Sequence, residues 1–278
     1  MIDPVVRIRN AAHLAATFAL TLALPGAATA QGEADAELQK KLANPVADIV
    51  TLPFQWTSNF GVGPYDKPQH SLNIQPVFPV KLGGGWSLIH RLIVPLESVP
   101  ALMPGQDRVY GLGDINYQGF FSPAPSPSGL IWGLGPSLVM RTSSNERLGQ
   151  GQWSLGPALV VLQEAGQLSA GALITQVWSF AGDSDRRGVN AFSLQPIVSW
   201  RLDSRNSIGY LGTITADWKE DRASQRWTVP LGISFSRLVK PEGFVPMNLV
   251  AGAGYNVVRP DLAARWFLRL QVNFILPK

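Results

Sequence analysis

The chain contains no cysteine. That removes disulfide staples, a lipid-anchored N-terminal cysteine and thiolate ligands or nucleophiles at one stroke. Histidine is almost as scarce: His13, His70 and His90 are the three, and none lies in an H-E-x-x-H or beside a G-x-S-x-G. Zinc hydrolase and serine hydrolase chemistry need such constellations, so the chain reads as a non-enzyme without a cofactor or metal. Charged residues make up 15% of the chain, against roughly 25% in ordinary soluble domains. The formal net charge is only +4 and no block of five like charges occurs, which excludes nucleic acid as a partner. Beyond the N-terminus there is also no run of about 18 apolar residues, so no helix can span a bilayer.

What the chain has instead is glycine (27), proline (22), tryptophan (9) and a pattern of period two. The final stretch shows it most clearly. Between Ala264 and Lys278, Trp266, Leu268, Leu270, Val272, Phe274 and Leu276 fall on one face, and Arg269, Gln271 and Asn273 on the other. A strand with one greasy and one polar side follows. About twelve such segments succeed one another from Thr51 onward, separated by turns rich in Gly, Pro and charge. Segments of about 10 residues with this alternation are the signature of a transmembrane β-barrel. The expected fold is therefore all-β: an antiparallel transmembrane β-barrel of about 12 strands with a short N-terminal helical segment.

Two segments carry internal conflicts. Pro76 and Pro79 interrupt SLNIQPVFPVK and call for local bulges, because proline cannot donate to a ladder. LSAGALITQVWSF, residues 168–180, is apolar on both faces, so periodicity leaves its register open.

The N-terminus has the three parts of an export signal: Arg7 and Arg9, an apolar run from Ala11 to Leu24, and Ala28-Thr29-Ala30 as a cleavage site. Residues 1–30 are read as signal peptide, 31–50 as a periplasmic N-terminal segment and 51–278 as the barrel. Within 31–50, Leu38, Leu42, Val46 and Ile49 have helical spacing, which Asn44-Pro45 interrupts. A helix lying at the barrel mouth and a plug entering the lumen are both compatible with this pattern.

Placing Thr51 at the periplasmic end puts LGGG and DSRNS among the inner turns. The charged loops ESVPALMPGQDR, TSSNERLGQG, AGDSDRRG and KEDRASQ then fall outside, as the asymmetry of such barrels requires. FSPAPSPS and RLVKPEGFV are longer than inner turns usually are. The same order puts Trp86, Trp132 and Trp200 at the periplasmic rim and Trp153, Trp178, Trp218, Trp227 and Trp266 at the outer one. Asp183 and Asp185 form a D-x-D that lacks the rest of a calcium loop and reads as solvated loop charge. The glycine pairs have no Lys-Ser/Thr after them and read as turns.

Several blocks together, NPVADIVTLPFQ, LNIQPVFP, GLGDINYQGFFSP, GLIWGLGPSL, WSFAGD, WTVPLG and FLRLQVNFILPK, resemble a family of bacterial outer-membrane transporter-like proteins often mislabelled neuromedin U. They are similar to the phenol meta-pathway (MetA-type) outer-membrane group. The resemblance spans the mature chain. It implies an outer-membrane barrel concerned with uptake of small molecules, with the membrane lipid, an unidentified solute and the barrel assembly machinery as partners and no catalytic residue to transfer. Outer-membrane barrels commonly end on an aromatic residue. This chain ends Phe274-Ile-Leu-Pro-Lys278, which weakens the signal by which the machinery reads the last strand.

The polar rows supply the candidate lumen lining: Asn73, Gln75, Arg91, Asn116, Gln118, Gln195, Arg201, Arg269 and Gln271. Eight strands leave an interior that side chains just fill and 16 to 18 leave an aqueous channel, so about twelve is compatible with both a channel and a filled structural barrel. Mass spectrometry of the protein isolated from membranes is expected to find Gln31 as its first residue, and a chain that still begins at Met1 would remove the export reading.

Overall fold

A row of alternating polar and apolar side chains can be stable in lipid only if every backbone N–H and C=O finds a partner, and for strands that means closing the sheet on itself. The computed structural model, which describes residues 30–277, shows that closure. Twelve antiparallel strands form one barrel. They are β1 (Val50–Val62), β2 (Lys67–Ile74, resuming as Val77–Gly83), β3 (Trp86–Val99), β4 (Val109–Leu112, resuming as Asn116–Pro123), β5 (Leu130–Val139) and β6 (Gln152–Ala165). The second half comprises β7 (Leu168–Gly182), β8 (Asn190–Arg201), β9 (Asn206–Tyr210, resuming as Ile214–Asp217), β10 (Trp227–Val239), β11 (Met247–Val258) and β12 (Trp266–Leu276). β12 pairs with β1 in unbroken register from Val50↔Leu276 to Phe60↔Trp266. No edge remains at the junction.

Burial runs opposite to that of a soluble protein. Leu231, Ile233 and Leu270 are about 60% exposed, at 60%, 63% and 59%, while Ser137, Ser154 and Gln118 are buried. Outward side chains are mostly apolar, as a lipid-facing exterior demands, while the inward ones are polar on one side of the barrel and apolar on the other. The segment whose register periodicity left open is fixed by its neighbours: Ala158↔Thr175 and Ser193↔Thr175 put Ser169, Gly171, Leu173, Thr175 and Val177 inside.

The prolines of β2 are accommodated in two ways. Strand pairing lapses at Gln75-Pro76 without a bulge, because Phe54↔Ile74 and Thr51↔Val77 on one side and Ile74↔Val94 and Val77↔Arg91 on the other keep one register, which corrects the expectation there. Pro79 stays in register opposite Ile89, which corrects the expectation of a bulge there. The Leu92 N–H donates to the Pro76 carbonyl, and this phase turns the Pro79 nitrogen away from β3 toward β1. β1 begins only at Val50, and its last partner on this part of β2 is Val77. The missing N–H therefore costs no ladder bond. β9 is interrupted at 211–213, where Leu211 turns into the lumen and the Tyr210 hydroxyl donates to the Pro230 carbonyl at 2.5 Å.

Two-residue turns at 84–85 and 166–167 lie at one end of the barrel, and the connections 100–108, 140–151, 183–189 and 218–226 at the other. By this asymmetry the short-turn end is periplasmic. Helix α1 (Ala30–Ala43) lies at that end. The expected signal peptide lies outside the described residues except for Ala30, with which α1 begins.

Tryptophans mark both rims. Trp86 and Trp132 meet edge to face at 5.7 Å at the periplasmic end, and Trp218 and Trp227 do the same at 5.4 Å at the outer end. Phe60 stacks on Trp266 at 4.0 Å, also at the outer end. Trp56 is the exception, exposed halfway along β1. In liposomes, brominated lipids with bromine near the acyl terminus should quench Trp56 strongly and the rim tryptophans weakly. Equal deep quenching of single-Trp variants at 86, 132, 218 and 227 would refute the belts.

Candidate functional site

The lumen is built from two unlike walls. On the side formed by β3–β8, the inward residues Ile89, Phe120, Ile131, Ala158, Val160, Leu162, Leu173 and Ile197 pack together as an apolar cluster, with Val77 against it. One member comes from outside the sheet: Val46, which lies after Asn44-Pro45. The turn that carries it is closed by the Asn44 side chain, which accepts the Val46 N–H at 2.9 Å, and by the Ala47 N–H, which donates to the Asn44 carbonyl. Val46 lies so close to Gly133 that a Cβ added there would come within 3.2 Å of it.

The N-terminal segment therefore does both things the sequence allowed. Its helix lies across the mouth, and its Asn44–Ala47 turn enters the lumen. Asp35, fully buried, holds the helix in place. Its carboxylate accepts Nε–H of Arg205 at 2.7 Å and a bond from the Lys240 ammonium, and these cations sit in the β8–β9 and β10–β11 turns. Gln39 adds a bond to the Arg205 carbonyl and accepts one from Ser207.

The opposite wall is polar. Gln55, Gln75, Arg91, Gln195, Asn248, Arg269, Gln271 and Asn273 face a cavity of about 280 Å³ that residues Gln39–Ile49 cover from the periplasmic side. Arg91 donates to Gln75 Oε1 at 2.8 Å and to Gln118 Oε1 at 3.2 Å. Arg269 donates through Nε to Thr57 Oγ1 at 3.3 Å, and its guanidinium lies 5.8 Å from the Phe267 ring. Among the described residues neither arginine has a carboxylate within 4.0 Å. Glu97 shares a ladder row with Arg269 through Thr57 and Ser71. At ~4.8 Å per strand it stands about 14 Å away. Asp114 and Asp217 are committed elsewhere. Asp114 accepts the N–H groups of Thr142, Ser143 and Gln150, which folds the β5–β6 loop over the outer mouth. Asp217 pairs with Arg187.

A second cavity, of about 640 Å³, occupies the outer half of the barrel. Its wall carries a ladder row of hydroxyls on four adjacent strands, Thr175–Ser193–Thr215–Thr228, with 2.5 Å between the oxygens of Thr175 and Ser193. Arg187 at its rim bonds Glu220 and Asp217, and the Glu220 bond foremost pushes its pKa above the ordinary guanidinium value. It stays charged at every working pH.

The nine candidates thus divide. Gln75, Arg91, Gln195, Arg269 and Gln271 line the inner cavity and Asn116 the outer one. Gln118 holds Arg91. Asn73 faces inward between Gln55 and Pro95 but lines neither cavity. Arg201 is spent on the Gly166 carbonyl and Ser169 Oγ in the β7 hairpin. Periodicity did not single out Asn248, whose buried Oδ1 has no hydrogen-bond partner among the described residues, nor the inward Phe120. His70 and His90 both sit on the outer face, and His90 bonds the Tyr117 hydroxyl there at 2.9 Å.

No protein-family model and no curated protein matches the chain. Among solved structures, it is similar to an outer membrane channel from Pseudomonas putida F1. The TM-score is 0.62 at 13% identity, over 83% of this chain and 97% of that one. It is also similar to the NanC porin, with a TM-score of 0.51 at 12% identity, over 82% and 100%. The likeness is one of fold.

Because Asp35 is buried between two partly exposed cations, Asp35→Asn should weaken docking of α1 by about 2 kcal/mol, roughly 30-fold. Limited proteolysis at Lys40-Lys41 should accelerate by that factor while the barrel keeps its heat-resistant gel mobility. Unchanged cleavage would mean that Asp35 does not hold the helix.

Proposed function

We propose that the chain is a narrow outer-membrane channel for small solutes whose inner cavity carries positive potential. The observation that carries this reading is the pair Arg91 and Arg269, which border one cavity with amides and hydroxyls around them and no carboxylate within ion-pair distance. A charge taken from water without a counterion is costly unless donors, acceptors or water replace its hydration. Here the arginines keep free N–H groups that a passing anion, or the negative end of a polarised solute, would meet.

A solute would enter through the hydroxyl-lined outer cavity, pass the arginines and meet the Gln39–Ile49 stretch, whose docking sets how easily it leaves toward the periplasm. The quoted sequence blocks support a narrower assignment to the MetA-type outer-membrane group, and with it uptake of small molecules. Assembly would proceed through the barrel assembly machinery, acting on β12.

A second reading is favoured by one observation. The amides of Gln75 and Gln118 already hold Arg91, and the apolar cluster fills one side of the lumen, so the interior could be a packed core of a structural barrel. Planar-bilayer recording separates the two. The wild type should conduct with a preference for anions, and Arg91→Glu with Arg269→Glu should shift the anion-to-cation ratio at least about tenfold toward cations, a difference of ~1.4 kcal/mol. Absence of conductance in the wild type would leave the packed barrel. A ratio unchanged by the double reversal would remove the arginines from the selectivity step.

A further inference from the structure

The outer face of the barrel should be uniformly apolar, yet on β1–β4 it carries an organised polar group. Trp56 Nε1–H donates to Ser58 Oγ at 2.9 Å, and Ser58 Oγ lies 2.9 Å from His70 Nδ1. The indole can only donate, so Ser58 Oγ accepts from it and keeps its own hydrogen and a second lone pair for the contact with Nδ1. In the tautomer in which Ser58 donates to Nδ1, the ring proton is on Nε2. The ring is held by stacking on Trp56, centroids 5.5 Å apart. Its Nε2–H has no protein acceptor among the described residues.

Beside it stands Arg108. Nη1 donates to the Ser98 carbonyl and to Ser98 Oγ at 2.9 Å, and Nη2 donates to the Pro68 carbonyl at 2.7 Å. Of the five guanidinium N–H groups, Nε–H and one on Nη2 are left over. No carboxylate lies within 4.0 Å of Arg108 among the described residues. Arg108, His70 and Tyr110, which is 70% exposed, line an outward groove of about 500 Å³ together with Leu72, Leu96 and Trp56; Glu97 also borders it, from the lumen-facing ladder row of Ser71 and Thr57.

The groove has a direction. Arg108 and Tyr110 stand at the outer end of β4, and Trp56 lies halfway along β1. Its cationic end is thus at the outer rim and its apolar walls run toward the membrane centre. Ionisable groups facing lipid are expensive and mark sites of function. We propose that this groove binds the phosphate of an outer-leaflet lipid, with Arg108 and His70 Nε2–H as donors and an acyl chain along Leu72, Leu96 and Trp56. A planar guanidinium with free N–H groups suits a phosphate with several acceptor oxygens. The apolar walls select a lipid phosphate over a free one. The proposal does not depend on whether the lumen conducts.

The test uses the full-length protein in detergent and native mass spectrometry. The probes are bis-phosphorylated lipid A, the same lipid with its phosphates removed, and inorganic phosphate. The wild type should retain the phosphorylated lipid at least tenfold better than the dephosphorylated one, and inorganic phosphate at equal concentration should not displace it. Arg108→Gln should abolish the preference, Arg108→Lys should keep part of it, and His70→Phe, which preserves the stacked ring, should lower it several-fold. Lys219→Gln removes a positive charge from an outer loop away from the groove and should change nothing. Heat-dependent gel mobility checks that each variant remains a folded barrel. The proposal fails if Arg108→Gln keeps the preference, if Lys219→Gln loses it equally, or if inorganic phosphate competes as well as the lipid.

Discussion

Everything in this molecule follows from the ladder between its first and last strands. In hydrocarbon an unpaired backbone N–H or C=O costs several kcal/mol. The pairing of β1 with β12 therefore has to form along its whole length, and it does so over eleven residue pairs without a slip. Once that register is set, the period-two pattern assigns every side chain on both strands to lipid or lumen. Thr57↔Arg269 and Gln55↔Gln271 become neighbours inside, while Trp56↔Leu270 goes outside.

The interior that results is not uniform, and its asymmetry governs what it can do. The apolar cluster around Phe120 narrows the lumen from one side, so a path for polar solutes has to run along the wall of β1, β2 and β8–β12. Arg91 sits at the boundary between these two walls. It escapes the cost of isolation because Gln75 and Gln118, on the strands either side of it, turn their carbonyl oxygens to it. Sequence-distant amides thus do for a luminal cation what water does in a wide pore.

The architecture was legible in the sequence because alternation is local. Arg269, Gln271 and Asn273 can be assigned inward from the C-terminal stretch alone, and the neighbouring strands confirm it. Three kinds of feature were not legible. Residues 168–180 carry small or apolar side chains on both faces, so only pairing with β6 and β8 fixes them. Pro79 looked like an interruption because its escape depends on where β1 begins. Asp35 and Val46 find partners hundreds of residues away or on the far side of a sheet, and nothing in ADAELQKKLANPVADIV announces a carboxylate buried between two turns. Arg201 misled for a related reason: its position in the alternation is right, but a hairpin carbonyl at Gly166 captures it.

The Asp35 latch also fixes an order of events. Its two partners lie 170 and 205 residues along the chain, in turns that take shape only when β8–β11 have paired. Until then the carboxylate has nothing to hold, and closing so long a loop for a few polar contacts is entropically unfavourable. Docking of α1 by this carboxylate thus requires that β8–β11 have already paired. The nascent barrel passes through a stage in which this latch is open, and the segment that carries Val46 toward Ile89 and Phe120 is not yet held by it.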